Sequence, residues 1–367
     1  MIPFVNLSSQ RNAYREELEI ATQRVYDSGC FIGGKEIEAL EAELSTYSGA
    51  SQTITCASGT GALLLSLLAL AIREGDEVIV PDFTFVAPAE CVALLGAIPK
   101  FADISKDTFL IDPAAVEALI TPKTRGIIAV DLFGQCANYK ALKKIANIYD
   151  LWIIEDAAQS FGASQFGNKS GNLTRIATTS FYPSKPLGCY GDGGAVFTSD
   201  ENLASRVRAL ANHGSTEHYV HKSLGTNSRL DALQAAVLRV KLHHLEDELT
   251  IRRQNANIYN AFFAHFENMH TPTIATGNIS TFAQYTLITE DRSLWEKKFA
   301  KIEVPTCIHY PQPLHTQPCF ARFNTNKVTN PQTEAICGKV LSLPVCAFTD
   351  VKEILHRISS ESSETTH

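Results

Sequence analysis

A chain of 367 residues has room for one large domain and a smaller one, and can bury a core without disulfides or structural metals. Its 45% hydrophobic and 19% charged content, with 21 Gly and 15 Pro, excludes collagen-like, disordered and coiled-coil classes. The net charge of −7 gives no general attraction to nucleic acid or anionic membranes, although a local basic pocket can still hold a small anion.

The N-terminus becomes charged within fifteen residues and has no basic stretch leading into an apolar run, so no signal peptide is expected. An amphipathic helix is predicted over 11–28 and a second over 36–48, after the Gly33–Gly34 breaker. Short apolar strands then alternate with helices: strand 53–56, helix 60–72, strand 77–80, helix 85–95, strand 126–131, helix 138–149 and strand 151–155. That alternation predicts an α/β fold with a parallel sheet covered on both faces. The most apolar stretch, 62–72, is interrupted by Ser66 and falls well short of the ~20 residues of a membrane span, so a cytoplasmic protein is expected.

Strands near 176–181 and 194–198 and a helix over about 200–212 follow. A long helical pattern over about 229–261, free of Gly and Pro, closes the large domain. We assign residues 1–245 to a large domain, 246–357 to a small C-terminal α+β domain with Pro-rich loops, and 358–367 to a polar, disordered tail. Nine cysteines are scattered without a CxxC pair or a histidine at zinc-ligand spacing, so free thiols and no metal are expected. His213, His218, His221, His243 and His244 lie in or beside polar helical stretches and read as solvated or structural.

Three fragments carry chemistry. Strand 53–56 runs into Ser58-Gly59-Thr60-Gly61 and then an apolar helix, which presents the first helical N–H groups to an anion; an ordinary capped helix is the plainer reading. Asp156 closes the apolar strand Trp152–Glu155, at the edge where open α/β sheets bind ligands. A carboxylate there can keep a ring nitrogen protonated, or merely cap the next helix. The third is SFYPSKPLGCYGDGG at 180–194, with Lys185 between a strand and a glycine-rich loop, an unusual place for a lysine. Its glycines run GxxGxG and lead into a strand, which excludes a dinucleotide fingerprint.

A desolvated lysine suits Schiff-base chemistry, because only the neutral amine attacks a carbonyl. An anion cradle, a ring-nitrogen carboxylate and a poised lysine together match pyridoxal 5′-phosphate, with an aromatic in 82–87 to stack on the ring.

At this point the chain resembles the DegT/DnrJ/StrS family of pyridoxal-phosphate sugar-nucleotide aminotransferases, of fold type I, from about residue 4 to about 355. The motifs fall in order: SGT at 58–60, TFVA at 84–87, EDAAQ at 155–159, SFYPSKPLGCYGDGG at 180–194, TNSRLDALQAA at 226–236 and HYPQPLHTQP at 309–318. The resemblance implies an aspartate-aminotransferase-like large mixed, mostly parallel sheet between helices and a small α+β domain. It implies pyridoxal 5′-phosphate, and pyridoxamine 5′-phosphate in the second half-reaction, as cofactor.

On these residues, the resemblance implies Lys185 as the Schiff-base lysine and proton shuttle, Asp156 on the pyridine nitrogen, Gln159 on the ring hydroxyl and Phe85 on the ring face. Gly59, Thr60 and Ser180 are implied to hold the phosphate, with Asn227 reaching it from a neighbouring subunit of a homodimer. Arg229, His309 and Tyr310 are implied to line the substrate side. Asp-Gly-Gly after the lysine is similar to the branch that aminates C-3 of keto sugars. The wording around the lysine is closest to enzymes that use glutamate to aminate UDP-2-acetamido-2-deoxy-3-oxo-glucuronate in bacterial O-antigen and polysaccharide synthesis. Gly61, Phe31-Ile32-Gly33-Gly34 and a short 265–305 segment depart from the family pattern on the sugar side. The competing readings are amination at C-4 or of a dTDP-linked sugar, and a cofactor-binding regulator without transaminase activity.

Overall fold

The computed structural model describes residues 2–323 and 328–364. Three helices lead in: α1 (Leu7–Ala13), α2 (Arg15–Ser28) and α3 (Lys35–Ser48). The strand–helix alternation then runs β1 (Gln52–Cys56), α4 (Gly59–Ala69), β2 (Glu77–Pro81), α5 (Ala87–Leu94), β3 (Ile98–Ala102), α6 (Pro113–Ala118), β4 (Thr124–Val130), α7 (Tyr139–Tyr149) and β5 (Trp152–Asp156). A short hairpin, β6 (Ser164–Gln165) and β7 (Asn168–Lys169), precedes β8 (Ile176–Ser180), β9 (Gly194–Thr198) and α8 (Glu201–Ala211). A second hairpin, β10 (Ser215–Glu217) and β11 (Val220–His221), leads to the long α9 (Ala232–Phe263).

Seven of these strands form one sheet in the order β1-β9-β8-β5-β4-β2-β3. Neighbours pair in parallel except β9, which is antiparallel to both β1 and β8. Successive residues of a strand point to opposite faces. Ile128 accordingly joins Ile54, Val80, Ile154 and Val196 under α4 and α8, while Ile127 and Ala129 face Leu142 and Ile145 of α7. At the β8–β9 end, that second face is closed by Leu40 and Leu44 of α3 and Leu238 and Leu245 of α9. Apolar residues on both faces of each strand are what a sheet covered by helices on both sides demands.

The C-terminal region is built on β12 (Met269–His270), β14 (Tyr285–Thr289) and β15 (Val340–Leu343), an antiparallel sheet, while β13 (Asn278–Ile279) pairs with β6. Its helices are α10 (Arg292–Lys301), α11 (Pro331–Cys337) and α12 (Val351–Glu364). Leu287, Leu341, Phe299 and Ile354 pack there against Tyr259 and Phe263, the far end of α9.

Four details differ from the sequence reading. The helix over 11–28 is interrupted at Tyr14, whose backbone (φ −108°, ψ 20°) separates α1 from α2. β3 and α6 are additional elements. The expected division between 245 and 246 falls inside α9, which is one continuous helix. The tail expected to be disordered from 358 is helical through Glu364, because Ile358 is buried in the C-terminal core; residues 365–367 lie outside the described residues. Among the described residues, no helix is long and apolar enough to cross a membrane.

Candidate active site

The parallel strands end at one edge of the sheet, and the chemistry-bearing residues leave from those ends. Ser58 follows β1, Asp82 to Phe85 follow β2, Asp156 closes β5 and Ser180 closes β8. β9 runs the other way, so its first residue, Gly194, lies at the same edge, paired with both Cys56 and Ser180. The loop 181–193 therefore leaves and re-enters where Ser58 stands. It is held by Phe181 N–H to Gly193 O (2.8 Å) and Cys189 N–H to Phe181 O (2.8 Å). A Cβ at Gly188 would sit 2.5 Å from Pro183 O, which is why the turn after Lys185 needs glycine.

A cavity of about 530 Å³ opens at this edge. It brings together Gly59, Thr60, Phe85, Asp156, Gln159, Ser180, Lys185, His309 and Tyr310 of the expected residues. Its floor is the N-terminus of α4, where extended Ser58 caps the helix by accepting Gly61 N–H at 3.0 Å. Gly59 lies so close to β8 that an added Cβ would be 2.6 Å from Ser180 Cβ. First-turn N–H groups, Thr60 and Ser180 form a small cradle where the helix dipole favours an anion.

Burial pushes the Asp156 carboxyl up to about 6, against the pull of Ala158 N–H and the Lys185 charge. Burial also draws the Lys185 ammonium below its ordinary range, with Asp156 opposing. The opposite wall is polar but uncharged. His309 is pushed down to about 4 by burial and the Lys185 charge, and its Nδ1 bonds Ser342 Oγ at 3.0 Å, so at neutral pH it is an uncharged imidazole. Gln159 is locked by Phe133 N–H to its Oε1 (2.9 Å) and donates from Nε2 to Tyr310 Oη (3.2 Å). Burial raises the Tyr310 phenol to about 12.

Asn227 and Arg229 are not brought into this cavity. Residues 226–231 run extended beside the end of α8, with Ser228 and Leu230 buried and Asn227, Arg229 and Asp231 facing outward. Arg229 Nη1 donates to Asn212 Oδ1 at 3.3 Å. Sequence reasoning also missed Gln284, Thr84 and Ser184 as cavity residues. Thr84 and Ser184 sit inside quoted motifs, but Gln284 stands alone between β13 and β14 with no signal around it.

The cavity is equipped for a group with an anion, a basic ring nitrogen and a carbonyl. Thr84 and Gln284 line it, and their Oγ1 and Oε1 atoms are buried without a hydrogen-bond partner among the described residues, which is costly unless a bound group supplies one. Fold and cavity together define a pyridoxal-phosphate enzyme of the aspartate-aminotransferase-like class.

Residues 12–359 match the DegT/DnrJ/EryC1/StrS aminotransferase family, and the chain belongs to it. It is 45% identical to the UDP-2-acetamido-2-deoxy-3-oxo-D-glucuronate aminotransferase of Pseudomonas aeruginosa, over 96% of this chain and 98% of the relative. It is 41% identical to the erythromycin biosynthesis sensory transduction protein EryC1 of Saccharopolyspora erythraea, over 94% of each chain. Among solved structures, S. venezuelae DesV superimposes with a TM-score of 0.96 at 37% identity, covering 100% of this chain and 99% of that one. The protein is a transaminase whose cofactor is pyridoxal 5′-phosphate.

Proposed function

We propose that the protein transfers the amino group of L-glutamate to C-3 of a UDP-linked 3-keto hexose or hexuronate, of the UDP-2-acetamido-2-deoxy-3-oxo-glucuronate type. The observation that carries this is near full-length similarity to the P. aeruginosa enzyme of that name, joined to a cavity with a lysine, a buried carboxylate and a helix N-terminus at one sheet edge. The balance is simple: glutamate leaves as 2-oxoglutarate and the keto oxygen of the sugar is replaced by the amino group. A cytoplasmic step in bacterial O-antigen or other polysaccharide synthesis fits such a product.

In this reading Gly59, Thr60 and Ser180 hold the phosphate, Asp156 faces the ring nitrogen, Gln159 the ring hydroxyl and Phe85 the ring face. When bound, the cofactor carries the amino group between donor and acceptor and draws off the electron pair left on the reacting carbon. Asp156 keeps the ring nitrogen protonated, since a fixed negative charge favours the cationic form. Lys185, already destabilised as an ammonium, serves as the amine and then takes and returns the proton of the substrate carbon at Nζ. His309 and Tyr310 stay uncharged at neutral pH and orient sugar hydroxyls.

Asn227 and Arg229 are exposed and do not line this chain's cavity, and Leu224, a few positions before them, is also exposed. We assign them to the cavity of a second copy in a homodimer, Asn227 toward the phosphate and Arg229 toward the substrate. The test is to supply glutamate with a UDP-3-keto or a 4-keto sugar nucleotide and locate the new amine by NMR. Amination at C-3 supports the proposal. Amination only at C-4 or only of a dTDP-linked sugar overturns the substrate, and cofactor binding with no turnover of any donor leaves a binding-only regulator.

A further inference from the structure

Behind the cavity lies a second polar cluster that the reaction does not use. Asp131 follows β4, Glu155 precedes Asp156 in β5, and both are fully buried, as are Ser160 and Ser170. The four side chains form a line: Asp131 Oδ2 to Ser160 Oγ at 3.0 Å, Ser160 Oγ to Ser170 Oγ at 2.6 Å, and Ser170 Oγ to Glu155 Oε1 at 3.0 Å.

Counting hydrogens decides the protonation state. The three contacts of 3.0 Å or less each need a hydrogen, and two serine hydroxyls supply two; Ser170 Oγ also lies 3.5 Å from Asp131 Oδ2, too long to need one of its own. The third has to sit on a carboxyl group. Glu155 is already an acceptor at both oxygens, taking Gly171 N–H on Oε1 (2.6 Å) and Leu173 N–H on Oε2 (2.8 Å). Asp131 Oδ1 accepts Ala137 N–H and Tyr139 O–H, each at 2.8 Å, its Oδ2 meets the hydroxyls of Ser160 and Ser170, and the Cys136 thiol also hydrogen-bonds the carboxyl group.

We propose that Asp131 is held as a neutral carboxylic acid with its proton on Oδ2, the head of a one-way chain Asp131→Ser160→Ser170→Glu155 that fixes the turn carrying Asp156 and Gln159. This rests on the roles given above to those two residues. The mechanical link is short: Asp131 N–H donates to Asp156 O (3.1 Å), Phe133 N–H holds Gln159 Oε1 (2.9 Å), and Ser160 follows Gln159 directly. A neutral Asp131 also spares Asp156 another buried negative charge behind it, which would favour protonation of the carboxylate that must pair with the ring nitrogen.

The surrounding groups agree. Glu155, Tyr139 and Cys136 interact electrostatically within the cluster, and Lys143 acts on Glu155. Burial and then the Glu155 charge raise Asp131 well above the carboxylate range, against the pull of hydrogen bonds with Ala137, Tyr139 and Ser160; on Glu155 the N–H donors of Gly171 and Leu173 and the hydroxyl of Ser170 likewise counter burial. Asp131 acts as a positioning residue; it touches neither substrate nor cofactor in this scheme.

The test is infrared spectroscopy of the holoenzyme grown with 13C-carboxyl-labelled aspartate, in parallel with kinetics. At neutral pH the wild type should show an isotope-shifted carbonyl stretch of a protonated aspartic acid, missing in Asp131→Asn. Asn retains the geometry, with Oδ1 accepting and Nδ2 donating to Ser160, so Asp131→Asn should keep cofactor affinity within about threefold of wild type, while Asp131→Ala weakens it by about tenfold, the worth of roughly one hydrogen bond. Glu155→Gln should fare worse than Asp131→Asn, because its amide N–H2 would face a backbone N–H. No protonated-acid band that depends on Asp131, or Asp131→Asn as damaging as Asp131→Ala, overturns the proposal. The band is assigned by its loss in Asp131→Asn, which keeps the hydrogen-bond geometry, and it can appear in a protein that never transaminates, so failure of this inference and failure of the functional reading are distinguishable.

Discussion

The two halves of the cavity are made differently. The half proposed to hold the cofactor comes from strand ends along one sheet edge: Ser58 after β1, Phe85 after β2, Asp156 on β5, Ser180 on β8 and the Lys185 loop that returns through β9. The substrate half comes from far along the chain, with Gln284, His309 and Tyr310 carried over the sheet edge by the C-terminal region, while Asn227 and Arg229 do not line this chain's cavity. The first half is tied closely to the sheet: Asp156 and Ser180 lie in strands, Ser58 stands two residues after β1, and the Lys185 loop is pinned by Phe181 N–H to Gly193 O and Cys189 N–H to Phe181 O. The second depends on long-range packing, and in the proposed dimer on another chain.

That contrast sets the expected sizes of effects. Lys185→Ala should cut kcat by about 10³-fold or more, with the protein still folded, because it removes both the amine and the proton carrier from the half tied to the sheet. A steady-state assay checks this, and a loss of less than tenfold would move the chemistry to another residue. Asn227→Ala should have the smaller effect, about a tenfold loss of cofactor affinity by equilibrium titration. The two variants also sharpen the comparison when mixed. If Asn227 serves the partner's cavity, each mixed dimer holds one intact site, and an equal mixture denatured, refolded and assayed at a cofactor concentration that leaves Asn227→Ala sites largely empty should restore about a quarter of wild-type activity. Activity no higher than the average of the separate variants would place Asn227 in its own chain's site or in none.

The same division explains what the sequence disclosed. Strand ends followed by small or charged residues are local patterns, so Lys185, Asp156 and the Ser58–Thr60 cap stood out, and the structure brings them to one cavity. β3 was hidden because Ile98-Pro99-Lys100-Phe101-Ala102 breaks the apolar run with a proline and a lysine, both tolerable only because β3 is an edge strand. Gln284 was invisible because its orphaned oxygen exists only once β14 packs beside the sheet edge. The Asp131–Ser160–Ser170–Glu155 line was invisible for a related reason. Its members are spread over forty positions, and Glu155 reads as one half of a motif whose other half, Asp156, faces the cavity. The tail was misread because its polar composition concealed Ile358, which is buried in the C-terminal core in line with Val351 and Ile354 of the same helix, α12.

The most direct test of the central claim is an absorbance titration of the purified holoenzyme, first with L-glutamate and then with the UDP-linked 3-keto sugar. The visible band of the lysine-bound cofactor should fade on adding glutamate and return on adding the keto sugar, with 2-oxoglutarate and amino sugar formed in equal amounts. A visible band that no amino donor bleaches would contradict the account, because the cavity would then bind the cofactor without passing on an amino group.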